Sequence, residues 1–123
     1  MSTILLSIKP QYVKEILKGK KRYEFRKNKP KRSVTRMVIY ASWPQQLVVG
    51  EAIIDEILEG SPDEIWDITK EFAGVDKRFF SSYYAGRNKA IAYKLSEVKI
   101  YETPKYLSDF GIAQAPQSFA YLD

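Results

Sequence analysis

Lys21, Glu24 and Arg26 stand three and two residues apart in the stretch Gly19-Lys20-Lys21-Arg22-Tyr23-Glu24-Phe25-Arg26-Lys27. An amine, a carboxylate and a guanidinium brought together can hold a phosphate, pair with a nucleobase edge, or move a proton if burial lowers the amine's pKa. Strand alternation predicts Tyr23 and Phe25 on one side and Arg22, Glu24 and Arg26 on the other, with same-side neighbours about 6.5–7 Å apart. The aromatic side is expected to take the core, leaving the charged side for solvent or a ligand. On that arrangement the Glu24–Arg26 pair is a surface pair worth under about 1 kcal/mol. A structural ion pair at this point is the competing reading.

The chain has no histidine and no cysteine. That removes Ser-His-Asp and Cys-His nucleophile arrangements, histidine general-base chemistry, zinc–thiolate sites and disulfides. Catalysis, if present, falls to Lys, Glu, Asp, Tyr, Ser or Thr. No metal site and no cofactor is expected, since no phosphate loop, dinucleotide glycine pattern or metal-spaced carboxylate motif is found.

Charge is segregated along the chain. Ten of the 20 basic residues lie between Lys18 and Arg36, opposed by Glu24 alone, whereas nine acidic residues against Lys70 alone fill Glu51–Asp76. Such clustering points to an anionic partner, nucleic acid first, bound by one face. The alternative is a basic loop, Lys27–Ser33, that serves solubility only.

The elements that must position these groups follow from local signals. Thr3–Ile8 reads as a strand, and Pro10 opens a short helix with Val13, Ile16 and Leu17 inward, stopped by Gly19. The basic strand follows, then the loop Asn28–Ser33. Arg36–Ser42 and Gln46–Leu58 read as strands, with Gly50 a bulge or close-packing point. Ser61-Pro62-Asp63-Glu64 is a capping box with a first-turn proline, opening a helix expected to bury Ile65, Ile68 and Phe72. Asp76 caps another short helix whose Phe79, Phe80, Tyr83 and Tyr84 are expected mainly in the core. Ala90–Tyr101 is a strand with a break near Ser96, turns fall at Pro104 and Gly111, and Ser118–Leu122 is a last strand. At 123 residues without a linker or repeat, a single domain spanning 1–123 is expected. No apolar run of about 18 residues occurs, so no membrane helix is expected. The N-terminus lacks the pattern of a secretory signal, and a cytoplasmic location fits. The element order suits an α+β mixed sheet or small barrel with helices packed on it.

Leu5–Pro10 (LLSIKP), the spacing Gly19-x-Lys21-x-x-Glu24-x-Arg26, Tyr40–Ser42 (YAS) and the closing APQSFAYL together resemble the ASCH domain family of the PUA-like superfamily. The resemblance covers nearly the whole chain. It implies a small mixed β-barrel with helices at its side, and a cleft beside the motif that takes RNA or a modified nucleoside. Small bacterial members deacetylate acetylated cytidine with a lysine and a threonine in a G-x-K-x-x-T-x-R motif. Lys21 and Arg26 match it, but Glu24 stands where those enzymes carry threonine, and a carboxylate cannot serve as that hydroxyl without a different mechanism. The expectation is therefore a nucleic-acid or modified-nucleotide binding module, with an amidohydrolase and a metal-assisted ribonuclease as alternatives. Candidate ligand contacts are Lys9, Gly19, Lys21, Glu24, Arg26, Ser42 and Trp43, the last as a stacking platform. Lys21 and Glu24 are the catalytic candidates, should there be catalysis. Lys20, Arg22, Lys27, Lys29, Lys31 and Arg32 are the candidate phosphate contacts.

Overall fold

Residues 2–122 are described in the computed structural model of the chain. Strand β1 (Ser2–Ile8) runs into Pro10 at the first position of helix α1 (Pro10–Leu17), where its missing N–H costs nothing. Gly19 ends the helix at φ +78°, and the chain crosses to β2 (Tyr23–Arg26). The hairpin β3 (Val34–Ala41) and β4 (Leu47–Gly60) follows. Ser61 and Glu64 then cap each other's backbone N–H groups to start helix α2 (Pro62–Thr69), as predicted. A single 3-10 turn (Lys70–Phe72) leads to helix α3 (Lys77–Tyr83), capped by Asp76. Strands β5 (Ala90–Lys105) and β6 (Phe119–Tyr121) complete the sheet.

The six strands lie in the order β2-β5-β4-β3-β1-β6, with β1 and β3 parallel and every other pair antiparallel. The mixed sheet curls into a half-barrel with the three helices packed alongside, the α+β architecture expected. Its concave side buries Ile4, Leu6 and Ile8 of β1, Met37 and Ile39 of β3, Ile54 of β4 and Tyr93 of β5 beneath Val13 and Ile16 of α1. On the convex side Leu5, Val38, Tyr40 and Val48 lie under Leu107, Phe110 and Leu122 of the C-terminal segment. With both faces covered, β1 and β3 are almost continuously apolar. A third cluster joins Phe25 and Ala92 to Ile65 of α2 and Phe80 and Tyr84 of α3.

Three local expectations are corrected. Ile68 is 58% exposed, and Thr69 takes the buried position instead. Thr69 lies one helical turn after Ile65 on the core face, and its hydroxyl donates to the Ile65 carbonyl at 2.7 Å, so the buried polar atom is satisfied. Pro104 is not a turn but lies inside β5, where β2 no longer flanks the strand and no ladder partner asks for its missing N–H. The aromatic quartet of α3 divides: Phe80 and Tyr84 are buried, whereas Phe79 is 41% exposed. Gly50 fills the predicted role, since a Cβ there would meet the Lys99 carbonyl oxygen at 2.6 Å and the ladders shift register beside it.

Tyr93 is fully buried, and its hydroxyl has no hydrogen-bond partner among the described residues. Burial pushes its pKa up to about 12. Leaving a buried hydroxyl unpaired costs about 1–3 kcal/mol, so Tyr93→Phe is expected to raise stability by about 1 kcal/mol in urea unfolding. The gain should grow above pH 10, where an unfolded tyrosine ionises while the folded one keeps its proton and stability is lost as pH rises. A destabilised Phe variant would show that the hydroxyl is paired after all.

Candidate functional site

The half-barrel stays open between β2 and the β1–β6 edge, and a pocket of about 300 Å³ lies there. Ser7, Ile8 and Lys9 at the end of β1 form one wall, Tyr12 of α1 and Phe79 and Tyr83 of α3 another, and Lys21, Glu24, Phe25 and Arg26 the floor. Its size is at the lower end of small-ligand pockets and its lining is mainly apolar with a few converging charges.

Lys21 is delivered by hydrogen bonds of its surroundings rather than by a regular element. Its own N–H donates to the Glu15 carbonyl of α1, and the Arg22 N–H donates to the Phe72 carbonyl after α2. The side chain is 2% exposed, and Nζ donates to the Ala73 carbonyl at 2.7 Å. Nζ also lies 4.8 Å from the Phe25 ring centroid, 5.6 Å from that of Tyr12 and 3.9 Å from Glu24 Oε1. Burial lowers the Lys21 pKa from its usual 10.5; the Glu24 carboxylate opposes this, and the Arg26 charge adds to it. Gly74, at φ +70°, gives the stem of Lys21 its room, for a Cβ there would run into Lys21 Cβ, Cγ and Cδ.

Arg26 works as a clasp across the open seam. Its Nε donates to Glu24 Oε2 at 3.1 Å, Nη2 to the Ser7 carbonyl at 2.9 Å, and Nη1 to the Ser118 hydroxyl at 3.3 Å. Glu24 is therefore held from both sides by cations and is 7% exposed. Of the charged side expected to face solvent or a ligand, Arg22 is exposed, whereas Glu24 is closed off from solvent and lines the pocket with Arg26. The strand alternates as predicted, but curling of the sheet turns its polar face into the seam rather than outward.

Of the predicted ligand contacts, Lys9, Lys21, Glu24 and Arg26 come together in the pocket. Gly19 is outside its lining, and a Cβ there would meet nothing within 4 Å, so it serves the turn. Ser42 also lies outside the lining but donates its N–H to the carbonyl of Ile8, a pocket residue. Trp43 is 77% exposed at the β3–β4 turn, away from the lining. The candidate phosphate contacts diverge. Lys20 and Lys31 are exposed, Arg22 lies over the Phe72 ring, Arg32 over the Tyr121 ring, Lys29 pairs with Glu59, and Lys27 lies over Tyr83 at the pocket's edge. Among the described residues, no group of three or more Asp or Glu converges as a metal site would require.

Sequence reasoning missed Ser7, Tyr12, Ala73 and Gly74, and ranked Phe79 and Tyr83 as core. The i, i+4 spacing of Phe79 and Tyr83, with rings stacked at 6.1 Å, was a legible sign that they share a face apart from Phe80 and Tyr84. Burial raises the pKa of both Tyr12 and Tyr83; Glu24 adds to the shift in each, and the Arg26 charge opposes it at Tyr83.

The chain is 28% identical over 125 residues to an ASCH domain-containing ribonuclease of Zymomonas mobilis subsp. mobilis, covering 96% of this chain and 82% of the relative. The crystal structure of ASCH from Zymomonas mobilis matches with a TM-score of 0.89 at 28% identity, over 98% of this chain and 87% of that one. The large ribosomal subunit protein uL22 of Ureaplasma parvum serovar 3 is 29% identical over 121 residues; the match takes 98% of this chain but only 39% of that protein's length. The ASCH domain family model matches residues 6–105, which include the end of β1, the Lys21–Arg26 floor and all three helices: the chain belongs to the ASCH domain family.

Proposed function

We propose that the chain binds single-stranded RNA, or a modified nucleotide from it, with one nucleobase in the pocket between α1, α3 and β2. The observation that carries this reading is the buried Lys21–Glu24–Arg26 array at the floor of an aromatic-walled pocket. Phe79 and Tyr83 offer ring surface to a base, and such stacking contributes about 1–3 kcal/mol per base. Glu24 is an acceptor suited to an exocyclic amine, and the spare N–H donors of Lys21 suit a carbonyl or phosphate oxygen. The similarity to a protein named as a ribonuclease supports RNA as the partner class.

Cleavage of RNA is the second reading, favoured by that similarity and by the lowered pKa of Lys21. An uncharged Lys21 would accept the 2′-hydroxyl proton, the 2′ oxygen would bond to phosphorus, and the 5′ oxygen would leave with a proton from water. Deacetylation of acetylated cytidine is not expected, because Glu24 supplies no hydroxyl.

Lys21→Met keeps the stem's volume and removes the charge. It is expected to leave the fold intact and to weaken binding of a short single-stranded oligoribonucleotide tenfold or more, read by fluorescence anisotropy. Unchanged affinity would remove Lys21 from the site. Incubating the end-labelled oligoribonucleotide with the parent chain, with and without a chelator, separates binding from cleavage and from metal-assisted cleavage. Release of acetate from acetylated cytidine, abolished in Lys21→Met, would instead put the amidohydrolase reading first.

A further inference from the structure

We infer that the phosphates flanking the pocket-bound nucleotide run over a shelf formed by Lys27, Arg87 and Lys89, an inference that rests on the RNA reading of the pocket. These residues, with Asn28, Gly86 and Asn88, line a shallow trough where the turn after α3 meets the end of β2. The trough adjoins the pocket through one side chain: Tyr83 lines the pocket, and Lys27 Nζ lies 4.8 Å from its ring centroid. A strand of RNA leaving the pocket past Tyr83 thus meets Lys27 first and then the α3–β5 turn.

The chemistry of the shelf is that of a polyanion site. It offers three cations and two side-chain amides, all exposed. The Arg87 side chain has no hydrogen bond or ion pair among the described residues. Glu59 is the carboxylate paired here, held at 3.4 Å by Lys89 and at 3.9 Å by Lys29. Exposed pairs of that length contribute at most about 1 kcal/mol and yield readily to a phosphate.

Two arginines of the basic segment are engaged elsewhere. Arg22 lies over Phe72 and donates to the Gly19 carbonyl, and Arg32 lies over Tyr121. The two halves of the shelf, Lys27 and Arg87–Lys89, are 60 residues apart in the chain, so the clustering of basic residues before Arg36 does not reveal it. The occupant is a single strand, because a rigid duplex could not place a base in the pocket and its neighbouring phosphates on the shelf together.

The test is a salt titration of anisotropy with a short mixed-sequence single-stranded oligoribonucleotide, beside binding of cytidine, which carries no phosphate, as a probe of the pocket alone. Arg87→Gln/Lys89→Gln is expected to flatten the log–log salt slope by about 1.4, at about 0.7 for each phosphate no longer neutralised, and to leave cytidine affinity within about twofold. Lys31→Gln/Arg32→Gln is expected to leave the slope at the parent value. A slope unchanged in the Arg87/Lys89 variant, or flattened instead in the Lys31/Arg32 variant, overturns the shelf while the pocket reading stands. A parallel fall in cytidine affinity overturns the shelf too, by assigning Arg87 and Lys89 to the pocket. Absence of any oligoribonucleotide binding by the parent chain at low salt overturns both.

Discussion

Glu24→Gln is expected to destabilise the protein by about 3–5 kcal/mol at neutral pH, although glutamine has nearly the same volume and shape. The substitution strands Lys21, which is 2% exposed, and takes from Arg26 its one carboxylate partner among the described residues. Arg26 keeps its bonds to Ser7 and Ser118, so most of the cost falls on Lys21. That cost has a pH signature. Glu24 is what props up the lowered pKa of Lys21, and without it the folded-state pKa falls further below 10.5. The unfolded chain then binds more protons through that window, so the variant should recover stability as pH rises towards 10. Above pH 10 the trend reverses, because Tyr93 stays protonated in the folded state until about pH 12. Urea unfolding at a series of pH values checks both limbs. Adding Lys21→Met should rescue much of the loss, and the double-mutant cycle gives the coupling. A destabilisation under about 1 kcal/mol would return Glu24 to the status of a surface pair.

Gly74→Ala should be nearly as damaging, through sterics rather than charge. The position has φ +70°, which costs an L-residue about 1–2 kcal/mol, and the added Cβ would collide with the stem of Lys21. Overpacking adds about 1–3 kcal/mol. Gly19→Ala carries the first contribution alone: Gly19 has φ +78°, but a Cβ there meets nothing within 4 Å. Gly74→Ala is therefore expected to cost about 1–3 kcal/mol more than Gly19→Ala, and only Gly74→Ala should weaken nucleotide binding tenfold or more. Equal destabilisation in the two variants would mean that Gly74 does not position Lys21.

Much of this protein was legible locally. The proline and glycine that bound α1, the Ser61–Glu64 capping box and the alternation of Tyr23–Arg26 are short-range signals, and the described structure follows each of them. The spacing Gly19-x-Lys21-x-x-Glu24-x-Arg26, joined to the two chain ends, was enough for the family, and the family for a barrel-like mixed sheet with helices at its side. Residue types alone ruled out histidine and cysteine chemistry.

Tertiary structure decided which of those charges is buried. Alternation fixes only which side of β2 a residue takes; whether that side meets water depends on how far the sheet curls and on what closes the seam. Here Arg26 reaches Ser118, 92 residues away, and Lys21 reaches Ala73, 52 residues away. No pattern within a dozen residues encodes such contacts. The same holds for Gly74, whose missing side chain leaves the space that Lys21 occupies, and for the division of Phe79 and Tyr83 from Phe80 and Tyr84. Sequence by itself determined the elements and the kinds of groups available; long-range packing determined which groups face one another, because burial, and with it the Lys21 pKa and the strength of its pairing with Glu24, is a property of the surroundings and not of the residue.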